Sequence, residues 1–242
     1  GPNDGRFPAV LETARRAREM HPDIALYGLI TGPFTLALHL LGTDIFMRML
    51  TEPDYVIRVF DFAKKVAVAT ADYYIDAGCD IIALVDPMTS QIGPDQFQQF
   101  VTEPATAIFD HIRNRNRMSS FFVCGHAQQN IEVMCDCKPD NISVDENIPL
   151  DFVRNTALPK GVSFGGNMQL TMVILLGDEK DAAQHAIECL DEGGPTGFIL
   201  APGCDLPYAT PQKNLIAVAE LVHDPYKQQV ARTLEDSTVT KD

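Results

Sequence analysis

Two cysteines and a histidine in this chain have side chains and positions suited to binding a metal ion. Cys124 and Cys204 each end an apolar run, and His126 follows shortly after the first cysteine. Thiolate and imidazole are preferred zinc ligands, and a catalytic zinc usually has three protein ligands and one open position. The spacing Cys-x-His with a distant Cys is not specific, so two buried thiols are the competing interpretation.

Acidic and amide side chains occupy comparable positions. Asp86, Asp145 and Asn167 also follow apolar runs, and they are the candidate catalytic residues that would orient a substrate. The alternative for each is structural, since Asp and Asn commonly cap helices and turns. Cys135 and Cys137 form a Cys-x-Cys pair, which we interpret as an incidental surface pair in preference to a second metal site.

Six short apolar runs recur along the chain, and they define the expected strands. They are rich in Ile, Val, Leu and Phe and are apolar on both faces, which is typical of parallel strands buried on both sides. Because parallel strands of a barrel end at one face, the candidate residues would converge there. The runs cover residues 24–30, 80–85, 118–123, 141–144, 162–164 and 197–201.

Helices with recognisable ends separate these runs. A proline start and a glycine stop predict one long helix between Pro53 and Gly78. Asp178 can cap a later helix. Pro104 should split the segment 94–113 into two helices, because proline removes a backbone donor from a helix interior.

The alternation of strand and helix predicts one α/β domain over residues 1–234 and a frayed polar tail at 235–242. A closed (β/α)8 barrel needs eight strands, whereas six runs are found. An open, doubly wound sheet therefore competes with a TIM-barrel-like fold that lacks its N-terminal part in this chain, and we favour the second. Two missing strands would expose sheet edges, which favours pairing with another chain, for example in a homo-oligomer.

The composition limits the classes of partner. The formal net charge of −14 at pH 7 disfavours nucleic-acid backbones and anionic membranes, because both attract basic residues. The sequence has no run of about 18 apolar residues, the length that a membrane span needs. The start of the chain lacks the features of a signal peptide. We therefore expect a cytoplasmic protein that acts on a small molecule, with its six cysteines reduced.

Several segments together resemble the uroporphyrinogen decarboxylase (URO-D) superfamily. They run in family order over nearly the whole chain, and only their combination is specific. The resemblance implies a (β/α)8 barrel whose members carry further residues on the N-terminal side. The matching segments are Gly32-Pro33-Phe34-Thr35-Leu36-Ala37, Leu41-Gly42, Ala77-Gly78-Cys79-Asp80, Asp86-Pro87, Cys124-Gly125, Ile142-Ser143-Val144-Asp145, Gly166-Asn167, Gly197-Phe198-Ile199-Leu200-Ala201-Pro202-Gly203-Cys204, Thr210-Pro211 and Asn214.

Within this superfamily the chain resembles the corrinoid-dependent methyltransferases. Their zinc motif has His-x-Cys at one strand end and a later Cys in an Ala-Pro-Gly-Cys turn, which Cys124 and Cys204 match. The histidine of that motif falls on Phe122, which cannot bind a metal. The resemblance therefore implies either a rearranged site completed by His126 or Glu146, or a site that has lost its metal.

The resemblance implies a methyltransferase that moves a methyl group between a corrinoid (methylcobamide) protein and a thiol or pterin acceptor, with zinc activation of the acceptor. A thiolate would attack the methyl group on Co(III) in line and leave Co(I). The motif residues expected to contact the cofactor are Gly32, Phe34 and Gly166. The alternatives are a URO-D-type decarboxylase, which the mainly helical arginines disfavour, and a non-catalytic barrel that binds a corrinoid or a small molecule.

Overall fold

Six strands and eleven α-helices alternate through residues 1–239, the part of the chain that this computed structural model describes. The strands are parallel where they pair, and their order in the sheet follows the chain. The predicted α/β class is confirmed. The strands are β1 (Tyr27–Thr31), β2 (Ile81–Val85), β3 (Met118–Val123), β4 (Asn141–Val144), β5 (Ser163–Met168) and β6 (Phe198–Pro202).

The helices vary from one and a half to more than six turns. None of those described has the length and apolar character needed to cross a membrane. Shorter 3-10 turns lie at Pro87–Gln91, Gln128–Asn130 and Leu158–Lys160, and a π-helix lies at Leu170–Leu175. The α-helices are α1 (Phe7–Met20), α2 (Pro33–Leu41), α3 (Asp44–Thr51), α4 (Pro53–Asp76), α5 (Pro94–Phe100), α6 (Thr102–Asn114), α7 (Ile131–Asp136), α8 (Leu150–Ala157), α9 (Glu179–Gly193), α10 (Gln212–Val222) and α11 (Pro225–Val239).

Two helices begin and end where local signals predict. Pro53 starts α4, and Gly78, with a φ of 99°, follows its end. At α9 the Asp178 carboxylate accepts hydrogen bonds from the backbone N–H groups of Lys180 (2.8 Å) and Asp181 (3.0 Å). Asp181 in turn accepts from the Asp178 N–H at 3.0 Å, which completes a capping box.

The predicted break between two helices in the segment 94–113 occurs, but at Val101 and not at Pro104. Pro104 lies in the first turn of α6, where a backbone N–H would have no partner within the helix. The frayed tail expected from residue 235 stays a prediction. Helix α11 continues to Val239, so the predicted start of a frayed tail at 235 falls inside it, and residues 240–242 lie outside the described residues.

The chain divides into two compact units. The first consists of Gly1–Ile142 with Lys160–Val162, and the second consists of Ser143–Pro159 with the residues from Ser163 onward. The prediction of a single domain over 1–234 stays a prediction.

Phenylalanine side chains fill the core of the first unit. Phe34 of α2 packs against Phe60 of α4, with ring centroids 5.9 Å apart, and Phe60 packs against Phe100 of α5 at 6.1 Å. Phe121 of β3 lies 5.3 Å from Phe109 of α6. All five rings are buried. Burial of this aromatic surface packs α2, α4 and α5 against one another and α6 against β3.

The second unit is built around β5 and β6, which pair in parallel from Phe164 opposite Phe198 to Met168 opposite Pro202. Strand β5 is longer than the predicted run at 162–164, so Gly166 and Asn167 lie inside the strand and not after it. The apolar pattern ended early because Gly165 and Gly166 have no apolar side chains.

Candidate functional site

Asp86 follows β2 and is fully buried, with both carboxylate oxygens bound by the first turn of α2. Oδ1 accepts hydrogen bonds from the Thr35 N–H at 2.7 Å and the Thr35 hydroxyl at 2.6 Å, and Oδ2 accepts from the Phe34 N–H at 3.0 Å. These N–H groups have no partners within the helix, and an acid is favourable at a helix N-terminus. The structure therefore shows at Asp86 the capping role that was the alternative to catalysis.

Burial raises the pKa of Asp86 to about 6. The hydrogen bonds from Thr35 and Phe34 oppose this rise, because they stabilise the ionised carboxylate. An acid with a pKa in this range can hold or release a proton near neutral pH, which is a property of catalytic acids as well as of buried structural ones.

Gly32 and Phe34 are two predicted cofactor contacts, and both are closely packed near Asp86. A side chain at Gly32 would collide with the Asp86 carboxyl group, so glycine is required for this close approach. Phe34 is fully buried and packs against Phe46 at 6.2 Å as well as Phe60. Its ring offers no surface to a cofactor.

Asp145 follows β4 and is also buried. Its Oδ1 accepts from the Asn147 N–H at 3.1 Å, and its Oδ2 accepts from the Asn147 side-chain amide at 2.8 Å. Asn167 of β5 donates from Nδ2 to the carbonyl oxygens of Asp145 (3.3 Å) and Ile148 (2.8 Å). The structure thus brings two predicted catalytic residues together, with Asn167 holding the loop that carries Asp145.

The end of β6 approaches the same loop. The Gly203 N–H donates to the Met168 carbonyl at 3.0 Å, which extends the pairing of β5 and β6. A Cβ atom at Gly203 would lie 2.5 Å from Glu146 Oε2 and 3.2 Å from Asp145 Cα, so glycine is needed at this contact. Cys204 comes next and is half-buried. Asp145, Glu146 and Cys204 therefore belong to one strand-end region of the second unit.

Gly166, the third predicted cofactor contact, has a φ of 129° within β5. A side chain at this position would collide with the Val144 carbonyl oxygen. Close packing of β5 on β4 explains the glycine, and a cofactor contact stays a prediction.

Four of the six cysteines are buried: Cys79, Cys135, Cys137 and Cys189. Burial raises the pKa of Cys135 to about 11 and the pKa of both Cys137 and Cys189 to about 12. Desolvation disfavours the thiolate, which is the form that binds metals and attacks electrophiles. The prediction that Cys135 and Cys137 form a surface pair is wrong, because the end of α7 turns both side chains into the core.

Cys124 and Cys204 are the two half-buried cysteines. Cys124 directly follows β3 in the first unit, two residues after the half-buried Phe122, and His126 is exposed. Within residues 1–239, no three His, Cys, Asp or Glu side chains form a group suited to a metal ion. Cys124 and His126 belong to the first unit and Cys204 belongs to the second, so the zinc site that these three residues would form stays a prediction.

Arginines in the first unit lie near the beginnings of strands. Arg18 pairs with Asp80, directly before β2, and Arg117, directly before β3, donates to the Cys79 carbonyl at 3.1 Å. No arginine among the described residues directly follows a strand. The charged residues that follow the strands are acids: Asp86, Asp145, Glu146 and Asp205.

A mainly apolar groove of about 300 Å³ lies between α9, α10 and α11 in the second unit. Ala183, Leu221 and Tyr226 contribute to its lining, and no residue that follows a strand does. We therefore define the candidate site by the strand-end residues and not by this groove.

Two residues that hold the candidate acids were not singled out from sequence. Thr35 binds Asp86 and Asn147 binds Asp145. Thr35 lies within the matching segment that begins at Gly32, so its position was available as a signal. Asn147 lies two residues after Asp145, a spacing typical of an Asx turn.

A sequence model described as uroporphyrinogen decarboxylase (URO-D) matches residues 1–225. The chain is 30% identical over 217 residues to the methylcobamide:CoM methyltransferase MtaA of Methanosarcina barkeri, covering 88% of this chain and 62% of that relative. It is 29% identical over 225 residues to a uroporphyrinogen decarboxylase of Anaeromyxobacter dehalogenans, covering 90% of this chain and 64% of that protein. The chain thus spans less than two thirds of the length of these relatives.

A solved structure described as a methyltransferase from Methanosarcina mazei superposes with a TM-score of 0.83 at 26% identity. The match covers 91% of this chain and 65% of that one. Together with the parallel sheet, this similarity confirms the predicted TIM-barrel-like α/β class.

Proposed function

Because this chain belongs to the uroporphyrinogen decarboxylase (URO-D) family, we propose that it acts in corrinoid-dependent methyl transfer. The proposed reaction moves a methyl group between a methylcobamide and a thiol or pterin acceptor. Similarity to the methylcobamide:CoM methyltransferase over most of the chain supports this function. The observation that carries it is the chemistry of the strand ends, where two half-buried thiols and several acids occur without an arginine.

The reaction has simple bond changes. The acceptor nucleophile attacks the methyl carbon in line, the new bond to carbon forms as the Co–C bond breaks, and the electron pair remains on cobalt. The protein has to orient the acceptor and to move the proton that the acceptor carries. Asp145 and Asn167 are the residues proposed to fix this geometry in the second unit, because their hydrogen bonds hold the loop after β4.

The negative charge of the acids near the strand ends affects which class of methyl acceptor is favoured. A thiol must lose its proton to react, and nearby carboxylates such as Asp145 and Glu146 disfavour a thiolate. A pterin nitrogen that is activated by protonation would instead gain from a neighbouring acid. Both acceptor classes therefore enter the test, and the acids favour the pterin.

We assign no step to zinc, although the family resemblance implies it. Phe122 replaces the expected histidine, and the described part of the chain lacks a three-ligand group. Metal analysis of the purified chain tests this separately. About one zinc per chain that is lost in Cys204→Ser would restore the zinc mechanism.

Decarboxylation of a porphyrinogen is the second candidate, since a uroporphyrinogen decarboxylase is almost as similar to this chain as the methyltransferase. A substrate with many carboxylates needs cationic side chains around it. Arg18 and Arg117 lie before strands and not after them, which disfavours this candidate.

The test is turnover of methylcobalamin by the intact chain, followed by the cobalamin absorption spectrum, with coenzyme M or tetrahydrofolate as acceptor. We expect methyl transfer to at least one acceptor and at least about a tenfold lower kcat in Asn167→Ala, because the loop that carries Asp145 would lose its support and misplace the acceptor. Asn155→Ala changes an exposed asparagine on α8 and is the matched control.

Two outcomes would contradict the proposal: no demethylation with either acceptor, or release of coproporphyrinogen from uroporphyrinogen. The proposed setting is a cytoplasmic enzyme that works with a corrinoid protein and a small-molecule acceptor. Binding to an immobilised corrinoid protein tests the partner.

A further inference from the structure

Three buried asparagines bind the main chain in the same way. Each donates from its side-chain Nδ2 to two carbonyl oxygens that are three positions apart in a segment following an earlier strand. Asn130 binds Thr89 and Ile92, both at 2.9 Å, after β2. Asn167 binds Asp145 and Ile148 after β4. Asn214 binds Ile174 (3.0 Å) and Gly177 (2.9 Å), after β5.

Four of the six carbonyls lie at or just past the ends of helical segments, and one of them, that of Thr89, also accepts from the Ile92 N–H at 3.3 Å. Thr89 and Ile92 are at the end of a 3-10 turn, and Ile174 and Gly177 are at the end of the π-helix. The last carbonyls of a helical segment have no donor within it, and a buried carbonyl without a donor is costly. One asparagine amide supplies two donors, so it can satisfy two such groups at once.

The side-chain oxygens of these asparagines indicate that the side chains act mainly as hydrogen-bond donors. Asn130 and Asn214 are fully buried, and the Oδ1 atom of each has no hydrogen-bond partner among the described residues. An unpaired buried acceptor costs free energy. The fold accepts this cost at both positions in return for two hydrogen bonds to the main chain.

We propose that Asn130 and Asn214 are positioning residues, which set the paths of the segments after β2 and β5 and so place the reacting groups. Asn167 does the same for the loop that carries Asp145. Each of the three acts through main-chain carbonyls. This inference rests on the proposed methyl transfer only where it concerns turnover, because the hydrogen bonds themselves do not depend on it.

The test combines amide hydrogen exchange with kinetics on Asn130→Ala and Asn214→Ala. We expect faster exchange in residues 87–93 for the first variant and in residues 171–178 for the second, with the other segment unchanged. With methylcobalamin as donor, kcat should fall at least about tenfold while KM changes little, because a displacement of about 1 Å can cost on the order of 100-fold. Asn155→Ala, an exposed asparagine on α8, is the control and should change neither.

If an alanine variant does not fold, Asn130→Leu and Asn214→Leu keep about the same side-chain volume and remove both donors without burying a charge. Exchange that rises evenly along the chain, or that stays unchanged in both segments, overturns the inference. Local exchange without any turnover by the unmodified chain supports the asparagine role and contradicts the proposed function. Turnover by the unmodified chain together with non-local exchange in the variants supports the proposed function and contradicts the asparagine role.

Discussion

The buried acids that follow the strands are candidate site residues, and they also accept hydrogen bonds from backbone N–H groups. Asp86 gives both carboxylate oxygens to the first turn of α2, although burial in the core makes its charge costly. The same residue therefore stabilises a helix and titrates in a range useful for proton transfer. The structural role of Asp86 can be tested through the pH dependence of stability.

We expect Asp86→Asn to change how stability depends on pH. The pKa of Asp86 is about 6 in the folded chain and 3.8 ordinarily, so the folded state binds the proton more tightly. This contribution to the free energy of unfolding is fully present below pH 3.8 and is lost as the pH rises through 6. The difference between the unmodified chain and the variant should therefore shrink by on the order of 3 kcal/mol between about pH 4 and 7.

Urea unfolding followed by circular dichroism at several pH values measures this change. Asp205→Asn, which neutralises an exposed acid after β6, is the control and should leave the pH dependence nearly unchanged. Parallel pH profiles for the unmodified chain and Asp86→Asn would rule out a raised pKa for this carboxyl group.

Sequence could place the candidate residues but not their partners. Asp86 and Asp145 follow strands as predicted, because an apolar run and its end are visible along the chain. The burial of Cys135 and Cys137 was missed, since no local pattern reveals which face of a short helix meets the core. The roles of Asn130 and Asn214 were also missed, because their carbonyl partners lie about 40 residues away in the chain.

At the scale of elements, local signals set helix ends well. The start of α9 is the clearest case, since Asp178 and Asp181 exchange hydrogen bonds with each other's backbone. Backbone hydrogen bonds, above all from Asp181, hold the pKa of Asp178 below its ordinary value. The cap is therefore present at neutral pH and is lost as the pH falls through that lowered pKa.

Asp178→Ala should lower the melting temperature at pH 7, because two N–H groups at the start of α9 lose their acceptor. Asp178→Asn should restore most of the loss, since asparagine is an equally good cap. Differential scanning calorimetry measures both. Glu188→Ala, on the exposed face of the same helix, is the control, and an equal shift in that variant would show that the cap adds nothing specific.

The lengths of some strands agree with the apolar runs, and those of others do not. Strands β3 and β4 match their apolar runs, whereas β5 extends through Gly165, Gly166 and Asn167. A hydrophobic pattern cannot reveal a strand made of glycine and an amide. These are the residues at which close backbone approach and loop support take precedence over side-chain burial.

At the scale of the whole molecule, the order of the sheet leaves β1 and β6 at its edges. Tyr27 and Leu29 of β1 are 44% and 52% exposed, and their neighbours Gly28 and Ile30 are buried. An edge strand with exposed apolar side chains favours pairing with another chain. The net charge of −14 opposes self-association at low salt.

We therefore expect concentration-dependent association of this chain with itself at high ionic strength, where charge repulsion is screened. Leu29→Lys should reduce it, because a charged side chain on an edge strand resists pairing. Analytical ultracentrifugation in high and low salt measures the effect. Leu50→Lys changes an exposed leucine on α3 and is the control; equal behaviour of the two variants would mean that the edge strand is not the contact.

The side chains of Asn130, Asn167 and Asn214 bind main-chain oxygens and not side chains. The segments that they support can therefore change in sequence while the backbone keeps the same path. Under the proposed methyl transfer, substrate preference would then change through replacement of the residues that project from those segments. Exchanging these short stretches between relatives should therefore give chimeras that still fold.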